Sequence, residues 1–273
     1  MAVFGDGLMK KVLLVQMAVL AAGLATPVLA ADLPMKAEVP VAPVFSWTGC
    51  YLGAHAGGGR GTKDMTDPVL LVQDSLIGPG TTTGITTVTT TPTGAVIGGE
   101  IGCDYQFAGN AVIGIEGTAS GTTMKASALV GLPAGLPGDV ALVQSNNDFL
   151  ASVAGRIGYA FNNVLVYARG GFAVAGDKYD VSGGTFNGGG PFHFQGADNR
   201  YGWVAGGGID WAFTRHWSMN VEYNYYGFGN GPILMTEQFS SANGVVVNGV
   251  VNVKQTVQVV KVGFNFHIWG SGW

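Results

Sequence analysis

Residues 148–161, DFLASVAGRIGYAF, and residues 164–180, VLVYARGGFAVAGDKYD, are separated only by Asn162 and Asn163. In both segments large apolar residues alternate with small or charged ones, which is the two-residue period of a β-strand. Two asparagines at the junction favour a tight hairpin, because asparagine tolerates the left-handed backbone conformation. The sequence therefore predicts an antiparallel hairpin in the middle of the chain.

The same alternation recurs on both sides of this hairpin and predicts eight strands in all. The other six strands are 47–59, 94–107, 111–123, 200–214, 217–229 and 253–268. The predicted short turns are Ala108-Gly109-Asn110, Asn162-Asn163 and Arg215-His216, and the predicted long loops are 61–93, 124–147, 181–199 and 230–252. Short periplasmic turns and four long extracellular loops are typical of an all-β, antiparallel, up-and-down transmembrane β-barrel.

The composition agrees with a barrel and argues against several other classes. Only 11% of the residues are charged, 47% are hydrophobic and 46 are glycine. Beyond the N-terminus no apolar run is long enough for a spanning helix, whereas a barrel strand needs an apolar residue only at every second position. The net charge of −4 shows that the chain lacks the excess of basic residues that is typical of nucleic-acid-binding proteins.

The two faces of the predicted strands differ in polarity. One face is apolar, with aromatic residues near the strand ends, and the other carries small residues and nearly all the charges. These charges are Glu100, Asp104, Glu116, Arg156, Arg169, Asp210, Glu222 and Lys261. A lipid-facing Arg or Lys costs about 2–4 kcal/mol at mid-depth, so the charged face should point inward. A soluble β-sandwich is the main alternative, but its outer face would rarely be so rich in glycine.

Two interpretations of this polar interior remain. Opposite charges confined in a narrow barrel should pair, because an unpaired buried charge is costly. The favoured interpretation is a polar plug that holds the barrel together, and the alternative is a gated path for ions. No catalytic, cofactor-binding or metal-binding motif is present, so the sequence predicts neither an enzyme nor a cofactor.

The two cysteines, Cys50 and Cys103, show no metal or redox spacing. If the first two strands pair with Trp47 near Phe107, facing residues have numbers that add up to about 153, and both cysteines fall on the lipid-facing side. This register permits a cross-strand disulfide near the periplasmic rim. Two small apolar side chains standing in lipid are the equally weighted alternative.

The N-terminal residues 1–30 have the features of a cleavable signal peptide. Lys10 and Lys11 precede an apolar run, and small residues end at Ala30. A retained membrane anchor is the alternative, and Met9 is a second candidate start. Residues 31–46 read as a proline-containing periplasmic linker, 47–268 as the barrel and 269–273 as a C-terminal tail.

A series of short motifs resembles one known family. The motifs are Trp47-Thr-Gly-Cys-Tyr-Leu-Gly53, Val112-Ile-Gly-Ile-Glu-Gly117, Gly155-Arg-Ile-Gly-Tyr159, Tyr167-Ala-Arg-Gly-Gly-Phe172, Val221-Glu-Tyr-Asn-Tyr225 and Val262-Gly-Phe-Asn-Phe266. Together they resemble the outer-membrane immunogenic proteins, porin-family OmpA-like barrels of alphaproteobacteria. The resemblance implies a surface protein of the Gram-negative outer membrane with antigenic loops. It also implies contacts with membrane lipid and lipopolysaccharide, and with periplasmic chaperones and the barrel-assembly machinery during biogenesis.

The chain departs from the family at two places. Cys50 and Cys103 stand where the family usually has aromatic residues. The family usually ends on an aromatic residue at the position of Ile268, as part of the assembly signal, which here would comprise Phe264, Phe266, Ile268 and Trp273. The resulting hypothesis is a structural surface protein with a mostly plugged lumen. The alternatives are a small channel for ions or solutes, and a loop-mediated contact with a host surface or antibody.

Overall fold

The computed structural model describes residues 45–66, 87–131, 140–183, 192–237 and 248–269. Its strands are β1 (Gly49–Thr66), β2 (Thr87–Thr90), β3 (Thr93–Gln106), β4 (Ala111–Gly131), β5 (Val140–Phe161), β6 (Val164–Gly183), β7 (Phe192–Ala212), β8 (Trp217–Glu237) and β9 (Asn248–Trp269). Strands β1 and β3 to β9 pair antiparallel in sequence order, and β1 also pairs with β9, which closes the ring. The predicted up-and-down barrel of eight wall strands is confirmed.

The short turns lie at one end of the barrel. Asn162 and Asn163 join β5 to β6 without any further residue, and Asn162 has a φ of 57°. Asn110 has a φ of 64° in the turn between β3 and β4, and its backbone N–H donates to the carbonyl of Phe107. Asparagine accepts this backbone conformation at little cost, which explains its place at both turns. The predicted signal peptide, most of the linker and residues 270–273 lie outside the described residues.

Most of the predicted strands were too short at their extracellular ends and the long loops correspondingly too long, whereas the predicted bounds of β3 differ by one residue at each end. Strand β1 runs seven residues beyond the predicted end at Gly59, and β5 begins eight residues before the predicted start at Asp148. A short additional strand, β2, pairs with the end of β1. Much of the sequence assigned to long loops therefore belongs to a wall that continues past the membrane belt.

The polarity of the wall reverses in this extension, which is why the sequence pattern there looked like loops. In the belt, outward residues such as Val153 and Ile157 are apolar and exposed. In the extension, inward residues such as Val143 and Val181 are buried and apolar. This is the ordinary arrangement of a protein wall in water, with apolar side chains packed inside. A bulge at Asp148 also shifts the alternation in β5 by one residue.

The cysteines face each other directly. Cys50 on β1 is the ladder partner of Cys103 on β3, with their Cα atoms 4.0 Å apart, and the structure joins them in a disulfide. Both strands reach their periplasmic ends here, at Gly49 and Gln106. The bond thus joins the two strands on either side of residues 67–86, which lie outside the described part.

Replacing both cysteines with serine is expected to lower the free energy of unfolding by about 2–4 kcal/mol, because the bond closes a long chain segment in the unfolded state. Urea titration of the folded barrel measures this loss. After its disulfide is reduced, the wild-type protein should have the same free energy of unfolding as the double variant. Recovery of both cysteines as free thiols in the folded protein would contradict the assignment.

Candidate functional site: the charged lumen

All eight charges predicted to point inward lie inside the barrel, each no more than 6% exposed. They form one connected cluster near the periplasmic end. The cluster has three centres, at Glu116, Glu222 and Glu100, and each carboxylate is held by side chains from several strands.

Within the described residues no helix is long and apolar enough to cross a membrane.

Glu116 on β4 is the first centre. Its Oε1 accepts a hydrogen bond from Arg169 at 2.7 Å, and its Oε2 accepts one from Arg156 at 3.1 Å and one from the Tyr51 hydroxyl at 2.7 Å. These partners come from β6, β5 and β1. One carboxylate therefore connects four strands across the lumen, with charge-assisted bonds on both oxygens.

Glu222 on β8 is the second centre. Its Oε1 accepts hydrogen bonds at 2.6 Å from both Arg169 and Asn224, and the Tyr167 hydroxyl donates to its Oε2 at 2.6 Å. Lys261 lies 3.1 Å away. Arg169 thus bridges Glu116 and Glu222, and this bridge places β4, β6 and β8 in fixed positions relative to one another.

Glu100 on β3 is the third centre. Lys261 donates to its Oε2 at 2.8 Å, and Asn220 donates to its Oε1 at 2.6 Å. His55 Nδ1 lies 3.0 Å from the same Oε2, and the other ring nitrogen lies 2.8 Å from the Ser120 hydroxyl oxygen. Glu100 consequently ties β3 to β9, to β8 and to β1.

Two tyrosines fit into this crowded space because glycines face them. Tyr51 is the ladder partner of Gly102, and Tyr167 is the partner of Gly208. A Cβ at Gly102 would clash with the Tyr51 hydroxyl, and one at Gly208 would lie 2.7 Å from that of Tyr167. These glycines are therefore required by the close approach of the two tyrosine side chains.

Arg156 connects the remaining acids. It lies 3.5 Å from Asp104 and 3.9 Å from Asp210, and its guanidinium sits 3.9 Å from the centre of the Tyr167 ring. It also contacts the Tyr51 hydroxyl. The two carboxylates and the aromatic face offset part of the cost of burying this cation.

The lumen contains alternating apolar and polar layers along its length. The inward residues of β5 show the order from the periplasmic end, with Ala160, Arg156, Leu150, Asn147 and Val143 in five successive layers. Strand β6 shows the same order, with Leu165, Arg169, Ala173, Asp177 and Val181. Side chains fill each layer, as expected for a barrel of eight wall strands.

The second polar layer was missed by sequence analysis. Lys63 on β1 donates to Asp177 on β6 at 2.7 Å, across the full width of the ring, and Asn147 donates to the same Oδ1 at 2.8 Å. Burial lowers the pKa of the Lys63 ammonium group below its ordinary value, and the neighbouring Asp177 carboxylate offsets only part of this lowering. Lys63 follows His55 by an even number of residues, and Asp177 follows Arg169 by an even number. The two-residue period of the strands therefore places both residues on the inner face, so the sequence already contained this layer.

The chain segment before β1 covers the periplasmic mouth. Trp47 is only 1% exposed, and its indole N–H donates to the carbonyl of Asn162 at 3.2 Å. Its backbone N–H donates to Gln106 at 2.8 Å. The rings of Phe45 and His267 lie 4.8 and 5.9 Å from the Trp47 ring. Trp47 was predicted to begin the first strand, but it instead folds inward as a lid on the lowest apolar layer.

The other predicted site residues lie on the outer surface or outside the described part. Phe264, Phe266 and Ile268 of the proposed assembly signal are outward-facing residues of β9, and Trp273 lies outside the described residues. No group of three or more His, Cys, Asp or Glu side chains in the described part could hold a metal ion.

A closed ring of antiparallel strands, with an apolar outer belt and buried charges inside, defines the class of outer-membrane β-barrels. The chain belongs to the family of the outer membrane protein beta-barrel domain, whose model matches residues 18–266. It is 27% identical over 266 residues to the 31 kDa outer-membrane immunogenic protein of Brucella melitensis, covering 94% of this chain and 99% of that protein. The resemblance found in the sequence and the outer-membrane location are thereby confirmed.

Other similar proteins match over less of the chain or at lower identity. The 25 kDa outer-membrane immunogenic protein of Brucella abortus is 28% identical over 197 residues, covering 72% of this chain and 73% of that protein. The outer membrane protease OmpT from Escherichia coli aligns with a TM-score of 0.49 at 8% identity, over 82% of this chain and 98% of OmpT. OprG from Pseudomonas aeruginosa gives 0.41 at 15% identity, over 82% and 99%.

Proposed function

We propose that this barrel is a structural surface protein of the outer membrane whose lumen does not conduct. The observation that carries the proposal is the series of five filled layers inside the ring. An ion path would need a continuous polar route, but the two polar layers are separated by an apolar layer that includes Leu150, Val204 and Val257. A further apolar layer lies at each end.

The ion pairs support the same proposal. The buried charges form short salt bridges of 2.6–2.7 Å. Lys63 pairs with Asp177, and Arg169 pairs with both Glu116 and Glu222. Moving an ion past them would require breaking charge-assisted bonds in a region of low dielectric, which is costly. We therefore assign the charges to holding the wall strands together, and the surface role to the extracellular part of the wall and its connections.

Liposome swelling tests this function against the alternative of a small channel. Vesicles containing the folded protein are expected to swell in a monosaccharide solution no faster than protein-free vesicles. A general porin reconstituted at the same ratio serves as the positive control. Swelling that rises with the amount of folded protein would contradict a filled lumen and favour the channel.

A further inference from the structure

The pairing between β7 and β8 is interrupted above the belt. No residue of β7 from 196 to 202 has a ladder partner on β8. In the other described ladders between neighbouring wall strands, no interruption is longer than two residues. We call residues 196–202 of β7 and 228–235 of β8 the seam. Its outward residues Asn199 and Asn230 are exposed and polar, so the seam lies in the extension rather than against lipid.

One extra residue in β8 accounts for the interruption. Below the seam Trp203 faces Gly227, and above it Gln195 faces Thr236. Nine residue steps on β8 therefore run beside eight on β7. The ladder between β8 and β9 is irregular at the same place, between residues 227 and 230. An inserted residue of this kind is a β-bulge, which disrupts the pairing of the strand that carries it.

The residues of β8 at this point disfavour a regular strand. Residues 229–232 are Gly-Asn-Gly-Pro. Gly229 has a φ of 65°, a conformation that is open to glycine and foreign to an extended strand. Pro232 has no backbone N–H to donate, and proline occurs in sheets mainly at free edges and bulges. The interruption thus follows from the sequence of β8 itself.

The side chain of Arg200 crosses the seam from β7. Its Nη2 donates to the carbonyl of Val253 on β9 at 2.6 Å and to the carbonyl of Gly229 on β8 at 3.2 Å. The strands also touch without pairing, since a Cβ at Gly196 would lie 2.9 Å from the carbonyl oxygen of Leu234. Packing and one side chain therefore close the seam in place of a ladder.

Arg200 is held less firmly than the other buried cations of the wall. It is only 4% exposed, yet none of the carboxylates in the described residues lies within 4.0 Å of its charged nitrogens. The buried cations that do have such a partner are Lys63, Arg156, Arg169 and Lys261. A buried charge without an opposite charge loses more hydration than it regains. Exposing Arg200 to water would offset part of the cost of opening the seam.

We propose that the seam opens locally and reversibly as a side entrance from the external water to the second polar layer, and that Arg200 holds it closed. Segments with few ladder bonds are the first to open in a folded protein. Gln255 lies in this layer, where it donates to Asp177 at 3.3 Å and lies 3.5 Å from the Tyr179 hydroxyl. Water and small polar solutes that enter would meet these groups.

The entrance does not lead through the barrel. The apolar layer that includes Leu150, Val204 and Val257 lies below the second polar layer and is not part of the seam. The inference therefore goes beyond the proposed structural role and is compatible with a lumen that does not conduct.

Thiol labelling of the variant S145C tests the proposal. Ser145 is 0% exposed and faces Tyr179 across the ladder of β5 and β6. The native cysteines are joined to each other, so the new thiol is the only free one. N-ethylmaleimide is expected to label folded S145C slowly. Labelling of S145C/R200M should be at least about tenfold faster, because two hydrogen bonds from a charged donor across the seam are lost.

Deletion of Gly229 provides the opposite change. Removing the extra residue lets β7 and β8 pair without interruption, so S145C in this background should be labelled at least about tenfold more slowly than in the wild-type background. The matched control L150C places the thiol in the apolar layer below and should stay unlabelled in all three backgrounds. Heat-shifted gel mobility confirms that each variant is folded.

Three results would overturn the proposal. Equal labelling of S145C in all three backgrounds would mean that the reagent arrives by another route. The absence of labelling in folded S145C/R200M would mean that the seam does not open. Faster labelling of L150C together with S145C in the R200M background would indicate a general loosening of the barrel. If R200M does not fold, the comparison between the wild-type background and the Gly229 deletion still decides.

Discussion

Replacing Arg169 with alanine is expected to lower the free energy of unfolding of the barrel by about 3–5 kcal/mol. Arg169 is 3% exposed and is the only residue that donates to both Glu116 and Glu222 in the described structure. Its removal leaves two buried carboxylates facing each other with one fewer cation. The cost arises mainly from these uncompensated charges. Removing one partner of a buried ion pair destabilises a protein far more than replacing the whole pair with apolar residues.

Lys178 on the same strand provides the control. Its ion pair with Asp148 is shorter than many of the buried ones, at 2.6 Å, but both side chains are largely exposed to solvent. Changing Lys178 to alanine is therefore expected to cost no more than about 1 kcal/mol. Urea unfolding followed by gel mobility measures both losses. Equal losses would show that the lumen charges do not hold the wall strands together.

Arginine in place of Val153 is expected to cost about 2–4 kcal/mol, whereas arginine in place of Val140 should change stability by no more than about 0.5 kcal/mol. Both valines face outward on β5, with exposures of 55% and 45%. Val153 lies in the apolar belt against lipid, and Val140 lies in the extension above it. The same substitution on the same strand thus meets hydrocarbon at one position and water at the other.

The free energies of unfolding in lipid vesicles decide this pair. A similar large loss in both variants would mean that the bilayer covers the extension, and that the polarity reversal above Asp148 has another cause. A small loss at Val153 would mean that this residue does not face lipid. Either result would require a new position for the membrane boundary.

The part of the barrel inside the membrane could be predicted from the sequence because two signals agree there. The alternation places apolar residues such as Ile157 on one face and charges such as Arg156 on the other, and the cost of charge in lipid decides which face is outside. The asparagine turn at Asn162 then fixes the register of its hairpin. The two-residue period then gives the face of the wall on which each residue between these points lies.

The extension could not be predicted by the same rule, for two physical reasons. Outside the lipid the favourable arrangement reverses, so inward Val143 and outward Gln144 no longer follow the pattern of the belt. Bulges at Asp148 on β5 and between Gly227 and Asn230 on β8 also shift the alternation by one residue. A strict period of two therefore ended the predicted strands too early.

The ionic cluster was predicted as a set of residues but its connections were not. Sequence alone places Glu116 and Arg169 on the inner face, whereas their contact depends on the stagger of three strands. The role of Tyr51 was hidden for a related reason, because its space depends on Gly102 across the ladder. Such pairings become visible only once the register is known.

Single-channel recording in a planar bilayer tests the central claim most directly, namely that filled layers close the lumen. The folded wild-type protein, inserted at high KCl concentration, is expected to give no discrete current steps above the lipid baseline. Steady steps that scale with salt concentration and appear only with folded protein would contradict the claim, because ions would then be crossing the apolar layer formed by Leu150, Val204 and Val257.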